Sequence, residues 1–302
     1  MLNRYNFDPN KVDEKFKVTL DKVLDEKVDE FEARKLIPFS SASDGMDIAT
    51  DVIIYREWAG KFKAIVSDEL INDIPFVNTG EEKKYARTFV ITSGYKFTVQ
   101  DIQLIASGKK DPEREIRTAV NSVADRENDL LLYGDDVLGG RIGLFTVEGK
   151  RLYASTLNLA TATGIEIVNE LVRVSKEFTT GIKGKYEPLI FAVHQDIYYK
   201  FLEVYNSDAN SDLDSLTVIE RKNLFGSIQM VKNLISPTTG EAGAIVLDAK
   251  QENYEFKEII APRTFEYEIK REIEGGVELK DSEVMAYRPE SIMEVTFAGY
   301  PA

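Results

Sequence analysis

Residues 48–66, IATDVIIYREWAGKFKAIV, and residues 85–97, YARTFVITSGYKF, decide how the rest of the chain is read. In the first stretch Ile48, Val52, Ile54 and Trp58 fall on one parity, and Phe62, Ala64 and Val66 continue it beyond Gly60. In the second, Tyr85, Phe89, Ile91, Tyr95 and Phe97 alternate with Lys84, Thr88, Thr92 and Lys96. A period of two with β-branched and aromatic enrichment predicts two long strands, here joined by the polar SDELINDIPFVNTGEE of residues 67–82. A two-stranded ribbon is only marginally stable by itself. The pattern therefore points to a protruding arm that finishes its packing on a neighbour.

Upstream, Asp8-Pro9 starts a densely charged segment over 11–35. Val12, Phe16, Leu20, Val23, Leu24, Val28 and Phe31 recur there at helical spacing and predict one amphipathic helix. Ile37-Pro38 and the SSASDG of 40–45 break it.

Downstream of the ribbon, Thr98–Ala106 reads as a short helix ended near Gly108. Asp111-Pro112-Glu113 then offers a capping acid and a first-turn proline. A long stripe follows through Ile116, Val120, Val123, Glu127, Leu130 and Leu131 to Tyr133-Gly134. Thr163-Gly-Ile-Glu166 fits a capping box, with Ile165, Val168, Val172 and Phe178 as the expected core face and Gly181 as the stop. Pro188–Val193 reads as a short buried strand, His194–Tyr205 as a helix, and Asn206–Asp214 as a polar loop. Ile228–Ile235 and Ala244–Leu247 read as strands with Pro237–Gly240 as the turn between them. Phe265, Tyr267 and Ile269 alternate with charges, and a second alternating run covers Ile292–Phe297. Strands and helices interleave, so the class is α+β.

Composition removes several functions. The 302 residues carry 52 acids against 38 bases, a net charge of −14, which argues against a free-standing nucleic-acid binder that must displace counterions from phosphates. With no cysteine, disulfide scaffolds, thiolate zinc sites and cysteine nucleophiles are excluded. Neither a signal-peptide core nor a run of about 18 apolar residues is present, so a soluble chain is expected. The length suggests about two domains.

No chemistry stands out. His194 is the single histidine, which excludes triads and histidine-rich metal sites and favours a structural role. Gly139-Gly-Arg-Ile-Gly143 follows a helix rather than a strand and lacks the dinucleotide-loop spacing. Asp208, Asn210, Asp212 and Asp214 resemble the opening of a calcium loop, yet Leu213 replaces the turn glycine and Ile219 the bidentate glutamate. A solvated Asx-rich loop is the expected outcome there. Acid pairs such as Asp135-Asp136 and Glu81-Glu82 are scattered. No catalytic residue, no cofactor-binding residue and no metal ligand is therefore assigned, and an enzyme is not expected.

The succession of segments carries a resemblance. IATDVIIYREWAGKFKAIVSDELINDIPFVNT, then ITSGYKFTVQDIQLIASGKK, then ENDLLLYGDDVLGGRIGLF, resemble the major capsid proteins of tailed double-stranded DNA phages and related viruses. The subgroup close to the encapsulins is the most similar. Gln100-Asp-Ile before a short helix and the Tyr133-Gly134 and Gly143-Leu-Phe145 steps match the family's turns, with Ile142-Gly143-Leu in place of Gly-Leu-Pro-Gly.

The resemblance runs from about residue 30 to 302 and implies the Hong Kong-97 type capsid fold. It implies an N-terminal arm with an amphipathic helix over 1–46, an extended β-hairpin loop over 47–97, and a peripheral domain over 98–185 with its spine helix at 111–133. An axial domain over 186–250 and return strands of the peripheral domain over 251–302 complete it. The implied function is a self-assembling icosahedral shell of pentamers and hexamers enclosing double-stranded DNA, without sequence-specific binding and with no membrane. Portal, scaffolding or decoration proteins are the other partners it suggests, and the virion, assembled in the host cytoplasm, is the implied location.

No folded segment of scaffold size precedes residue 30, so any scaffold is expected to be separate or the short arm itself. Some family members cross-link subunits through Lys and Asn. Lys61, Lys63, Lys83 and Lys84 sit in the ribbon, but no acceptor is identified and no cross-link is expected. Two other readings stay open: an encapsulin-type compartment around a cargo enzyme, and an enzyme with an unrecognised site.

Overall fold

The computed structural model describes residues 31–41, 46, 49–58, 81–135, 140, 142–181, 185–205, 213–269 and 272–299. Residues 11–30 of the helix read over 11–35, the ribbon residues 59–80, and Asp208, Asn210 and Asp212 lie outside them.

In chain order the elements are α1 (Glu32–Leu36), β1 (Phe39–Ser41), β2 (Val52–Trp58), β3 (Glu81–Phe97), α2 (Val99–Ala106), α3 (Glu113–Tyr133) and β4 (Arg151–Asn158). There follow α4 (Gly164–Thr180), β5 (Ile190–His194), α5 (Gln195–Phe201), α6 (Ser215–Arg221), β6 (Ser227–Val231) and β7 (Ala244–Leu247). The chain closes with β8 (Tyr254–Ile269), β9 (Glu272–Ser282), β10 (Met285–Ala286) and β11 (Ile292–Ala298). The class is α+β, as the interleaved pattern predicts.

Two sheets organise the molecule. One runs β1-β8-β9-β3-β2, with β10 added to β8, and the other runs β4-β11-β7-β5-β6. The predicted ribbon is the β2–β3 hairpin, antiparallel from Val52↔Arg87 to Trp58↔Glu81. β3 then changes partner and pairs β9 from Thr88↔Ser282 to Phe97↔Ile273. One long strand thus carries the ribbon at one end and anchors it in a sheet at the other.

α3 is the helix its stripe predicts: Ile116, Val120, Val123, Glu127, Leu130 and Leu131 are all buried. It packs across β3 and β9. Its cap differs slightly, because Pro112 is the capping residue while Asp111 accepts from the Glu113 N–H at 3.1 Å. Gly134 ends the helix at φ +73°, a left-handed conformation that glycine adopts without a Cβ clash. Gly143 is held so close behind it that a Cβ there would stand 2.3 Å from the Gly134 nitrogen. The glycine step singled out by the resemblance is thus a backbone-on-backbone contact. Tyr133 stacks on Phe145 at 5.6 Å, donates to the Asn233 carbonyl at 2.9 Å and accepts from the Ile235 N–H at 2.8 Å.

The five-stranded sheet separates two cores. Phe191, Val193, Ala244, Val246, Met293 and Val295 face α4, α5 and α6. Ala192, Ile245, Leu247 and Ile292 face the core built around α3. Continuous apolar runs such as AIVL at 244–247 follow from burial on both faces.

Several expectations need correction. Core contact on α4 comes from Ile167, Val168, Leu171, Val174 and Phe178, whereas Ile165 is exposed and Val172 half-buried. The capping box sets the start of this helix correctly, but the core face lies about one residue round from the one expected. The helix after His194 stops at Phe201, short of Tyr205. β6 ends at Val231, and the Pro237–Gly240 turn does not join two paired strands, because β5 lies between β6 and β7. The alternating run at the chain's end, β11, is buried along both faces from Ile292 to Phe297. Residues 251–302 are divided between the sheets: β8 and β9 belong to the ribbon-bearing one, and β11 sits between β4 and β7.

Candidate assembly surfaces

The ribbon has two unlike faces. Ile53 and Ala86, paired across β2 and β3, are buried against Met285, with Tyr55 and Tyr287 packed beside them. Tyr55 meets Tyr287 edge-on at 5.7 Å, and the Tyr287 hydroxyl donates to Glu255 Oε1 at 2.7 Å. Burial, together with the nearby Glu57 and Glu283, pushes the Tyr55 phenol up to about 12. The inner face therefore fixes the ribbon's base to β8 and β10.

The outer face carries Val52, and Ile54 paired directly with Tyr85; Ile54 is 63% and Tyr85 61% exposed. The parity of Val52 and Ile54 is the bare one, and Ile53, between them, is the core residue at 6%. Further along β3 the core side changes to Phe89, Ile91, Tyr95 and Phe97, where the strand leaves β2 for β9, and Val90 becomes exposed. Lys84 lies 3.6 Å from Glu57 and 3.5 Å from Glu82, so it is engaged in ion pairs within the ribbon. Lys83 is exposed opposite Arg56, and Lys61 and Lys63 are outside the described residues.

The second feature is the segment over residues 31–41. α1 and β1 sit over α3 and β8: the Ala33 N–H donates to Asn128 Oδ1 at 2.9 Å, and β1 pairs parallel to β8 with Phe39 opposite Phe256. Those two rings stack at 5.6 Å, and buried Tyr254 donates to the Leu36 carbonyl at 3.2 Å. Arg34 reaches inward between the elements. Its guanidinium bonds Glu127 Oε1 of α3 at 2.7 Å, Glu258 of β8, and Asp281 Oδ2 of β9 at 3.4 Å. It also lies 5.3–5.7 Å from the ring centres of Phe31, Phe39 and Phe256. Sequence reasoning placed Glu127 on the apolar stripe, and an acid at a core position was the available signal for such a partner. Neither Arg34 nor Asp281 carries any local signal.

The singled-out chemistry residues are not brought together. His194 is buried and caps α5, its Nδ1 accepting from the Asp196 N–H at 3.2 Å. Asp214 caps α6 by accepting from the Thr217 N–H. Of the glycine run, Gly139 and Arg141 lie outside the described residues. Among the described residues no group of three or more His, Asp or Glu is gathered as a metal site, and no helix is long and apolar enough to cross a membrane.

No sequence-family description matches the chain, and no curated protein does either. Solved structures do. The capsid of Myoviridae phage XM1 superposes with a TM-score of 0.64 at 10% identity, covering 86% of this chain and 89% of that one. This chain has the Hong Kong-97 type capsid fold. A virus-like particle from Pyrococcus furiosus aligns with a TM-score of 0.60 at 14% identity over 93% of this chain and 99% of that one. The capsid of an empty GTA particle aligns at 0.58 and 12% identity over 89% and 90%. The fold implied by the resemblance is thereby found in three dimensions despite very low identity.

Proposed function

We propose that this chain is a structural major capsid protein, not an enzyme, whose copies close into an icosahedral shell of pentamers and hexamers around double-stranded DNA. The observation that carries the reading is the bare apolar stripe of Val52, Ile54 and Tyr85 on a ribbon rooted in a capsid fold. Exposed apolar area of that kind is completed by another surface, and in a shell each ribbon lies on the next subunit. Small contacts repeated around a closed lattice accumulate to large interfaces.

In this reading residues 1–46 form the arm, 47–97 the extended loop, 98–185 and 251–302 the peripheral domain, and 186–250 the axial domain. The axial span supplies β5, β6 and β7 of the five-stranded sheet. A net charge of −14 suits a wall that must not grip packed DNA non-specifically. Portal, scaffolding or decoration proteins are partners of the same reading, and the assembled virion is its location.

The test is electron microscopy and sedimentation of particles from the producing host, followed by nuclease treatment and extraction. Uniform closed shells holding nuclease-resistant double-stranded DNA are expected. Dispersed monomers at high concentration would overturn the shell. Shells filled with a protein and no DNA would replace the genome by a cargo.

A further inference from the structure

The arm root rests on an unusual balance of charge. Arg34 from α1 faces Glu127 from α3, Glu258 from β8 and Asp281 from β9, and these four are the charged groups that act on one another there. One cation thus meets three carboxyl groups. The side chains of Glu127 and Asp281 are wholly buried, while Arg34 and Glu258 keep 14% and 13% of theirs exposed.

The hydrogen-bond inventory is incomplete in one specific way. Glu127 uses Oε1 on Arg34 and leaves Oε2 buried without a partner. Asp281 uses Oδ2 on Arg34 and leaves Oδ1 buried without a partner. The two carboxyl groups converge on one guanidinium, Glu127 Oε1 on Nε and Asp281 Oδ2 on Nη2. Two carboxylates can only accept, so both orphan oxygens are costly if both groups are ionised. A single proton between them converts one acid to a donor and cuts the buried excess charge.

We propose that Glu127 and Asp281 share one proton, and that this proton latches the root of the N-terminal arm onto α3 and the β8–β9 pair. The latch is a pH-sensitive device for the arm, and it stands whether or not the shell encloses DNA. Its direction follows from linkage. Burial pushes both acids up, Asp281 well above the ordinary carboxyl range; Glu127 and Glu258 add to the rise of Asp281 against Arg34, whereas for Glu127 Arg34 and Asp281 oppose the rise and Glu258 adds to it. In the docked root the pair keeps its proton, whereas in the released root it has the ordinary value near ~4. Docking is therefore fully stabilised below that ordinary value. It weakens as pH rises from there toward the raised value of the docked pair.

Hydrogen exchange read by mass spectrometry on the full chain tests this, comparing residues 31–36 with α4 as an internal reference for intrinsic exchange. Opening of 31–36 relative to α4 should rise as pH climbs above the ordinary carboxyl range, approaching about tenfold per pH unit, the limit for one proton released on opening. Glu127→Gln and Asp281→Asn should each flatten that slope. A flat wild-type slope overturns the proposal outright and needs no variant. An unchanged slope in a folded Asp281→Asn protein overturns it as well, by placing the proton elsewhere.

Discussion

The two sheets solve the same problem in opposite ways. In the β4-β11-β7-β5-β6 sheet the inner strands β11, β7 and β5 are covered on both faces by the chain itself, with α4, α5 and α6 on one side and the α3 core on the other. In the ribbon-bearing sheet, α3 covers β3 and β9 and the arm root closes over β8, yet the β2–β3 end keeps Val52, Ile54 and Tyr85 bare. Apolar alternation marks the ribbon strands, while the closed sheet carries continuous apolar runs such as AIVL at 244–247. Alternation is a local pattern. It reports that a face will be buried, and says nothing of which molecule buries it. Substitutions that act on the folding of one subunit can thus be separated from those that act only between subunits.

The largest effect is expected in the closed sheet. Phe191 is fully buried and stacks on Phe225 at 4.6 Å and on Phe201 at 6.3 Å. Phe191→Ala should cost about 3–5 kcal/mol through lost burial and a residual cavity, read as a lower denaturant midpoint. A loss below about 1 kcal/mol would show that the sheet collapses freely around the gap. Arg34→Met comes next. It removes the guanidinium from three facing carboxyl groups and should cost about 3 kcal/mol, the lower end for breaking a buried ion pair. Thermal unfolding at two pH values would register it, with the larger loss at the higher pH, where the acids are ionised.

A smaller effect belongs to the start of α4. Thr163 Oγ1 accepts from the Glu166 N–H at 3.4 Å, and Glu166 Oε2 accepts from the Thr163 N–H at 2.8 Å. Thr163→Ala should cost about 1 kcal/mol. The Thr163 N–H and the Thr163 hydroxyl, which donates to the same Oε2 at 2.9 Å, hold the Glu166 carboxyl below its usual value, so this contribution is present above the ordinary carboxyl range and fades as pH falls through the lowered one. An equilibrium unfolding series from pH 7 to 3 would show the wild-type and variant curves converging.

What was legible in the sequence follows the same physics. α3 was readable because its stripe is local and unbroken, and the capping box at Thr163 because it spans four residues. β4 was missed because its inward residues are polar: Tyr153 donates to Glu170 Oε1 at 2.9 Å and Ser155 does so at 2.7 Å, while Leu152 points outward. β9 was missed because Gly275-Gly276 interrupt its apolar period and its buried end is Lys280-Asp281-Ser282. The Arg34 site joins residues 93 to 247 positions apart, and no local pattern records such a meeting. α6, over Ser215–Arg221, has no counterpart in the sequence reading, although Asp214 at the end of the polar loop has the residue type of a cap.

The smallest effect on the subunit is the most discriminating. Ile54→Asp combined with Tyr85→Ser places polar groups on a face that is already wet in the isolated chain. Subunit stability should therefore change by no more than about 0.5 kcal/mol. If the chain assembles as proposed, assembly should nevertheless fail, because those positions would enter an apolar contact where an unpaired carboxylate is costly. Ile53→Asp, one residue away, is the control: it buries the charge against Ala86 and Met285 and should unfold the ribbon's base in the monomer itself. Sedimentation paired with denaturant unfolding separates the two outcomes. If the double variant assembles normally, the bare stripe is ordinary surface and the ribbon contacts its neighbour through another face. If it unfolds the subunit, the two sheets are alike after all, and the stripe is buried within its own chain.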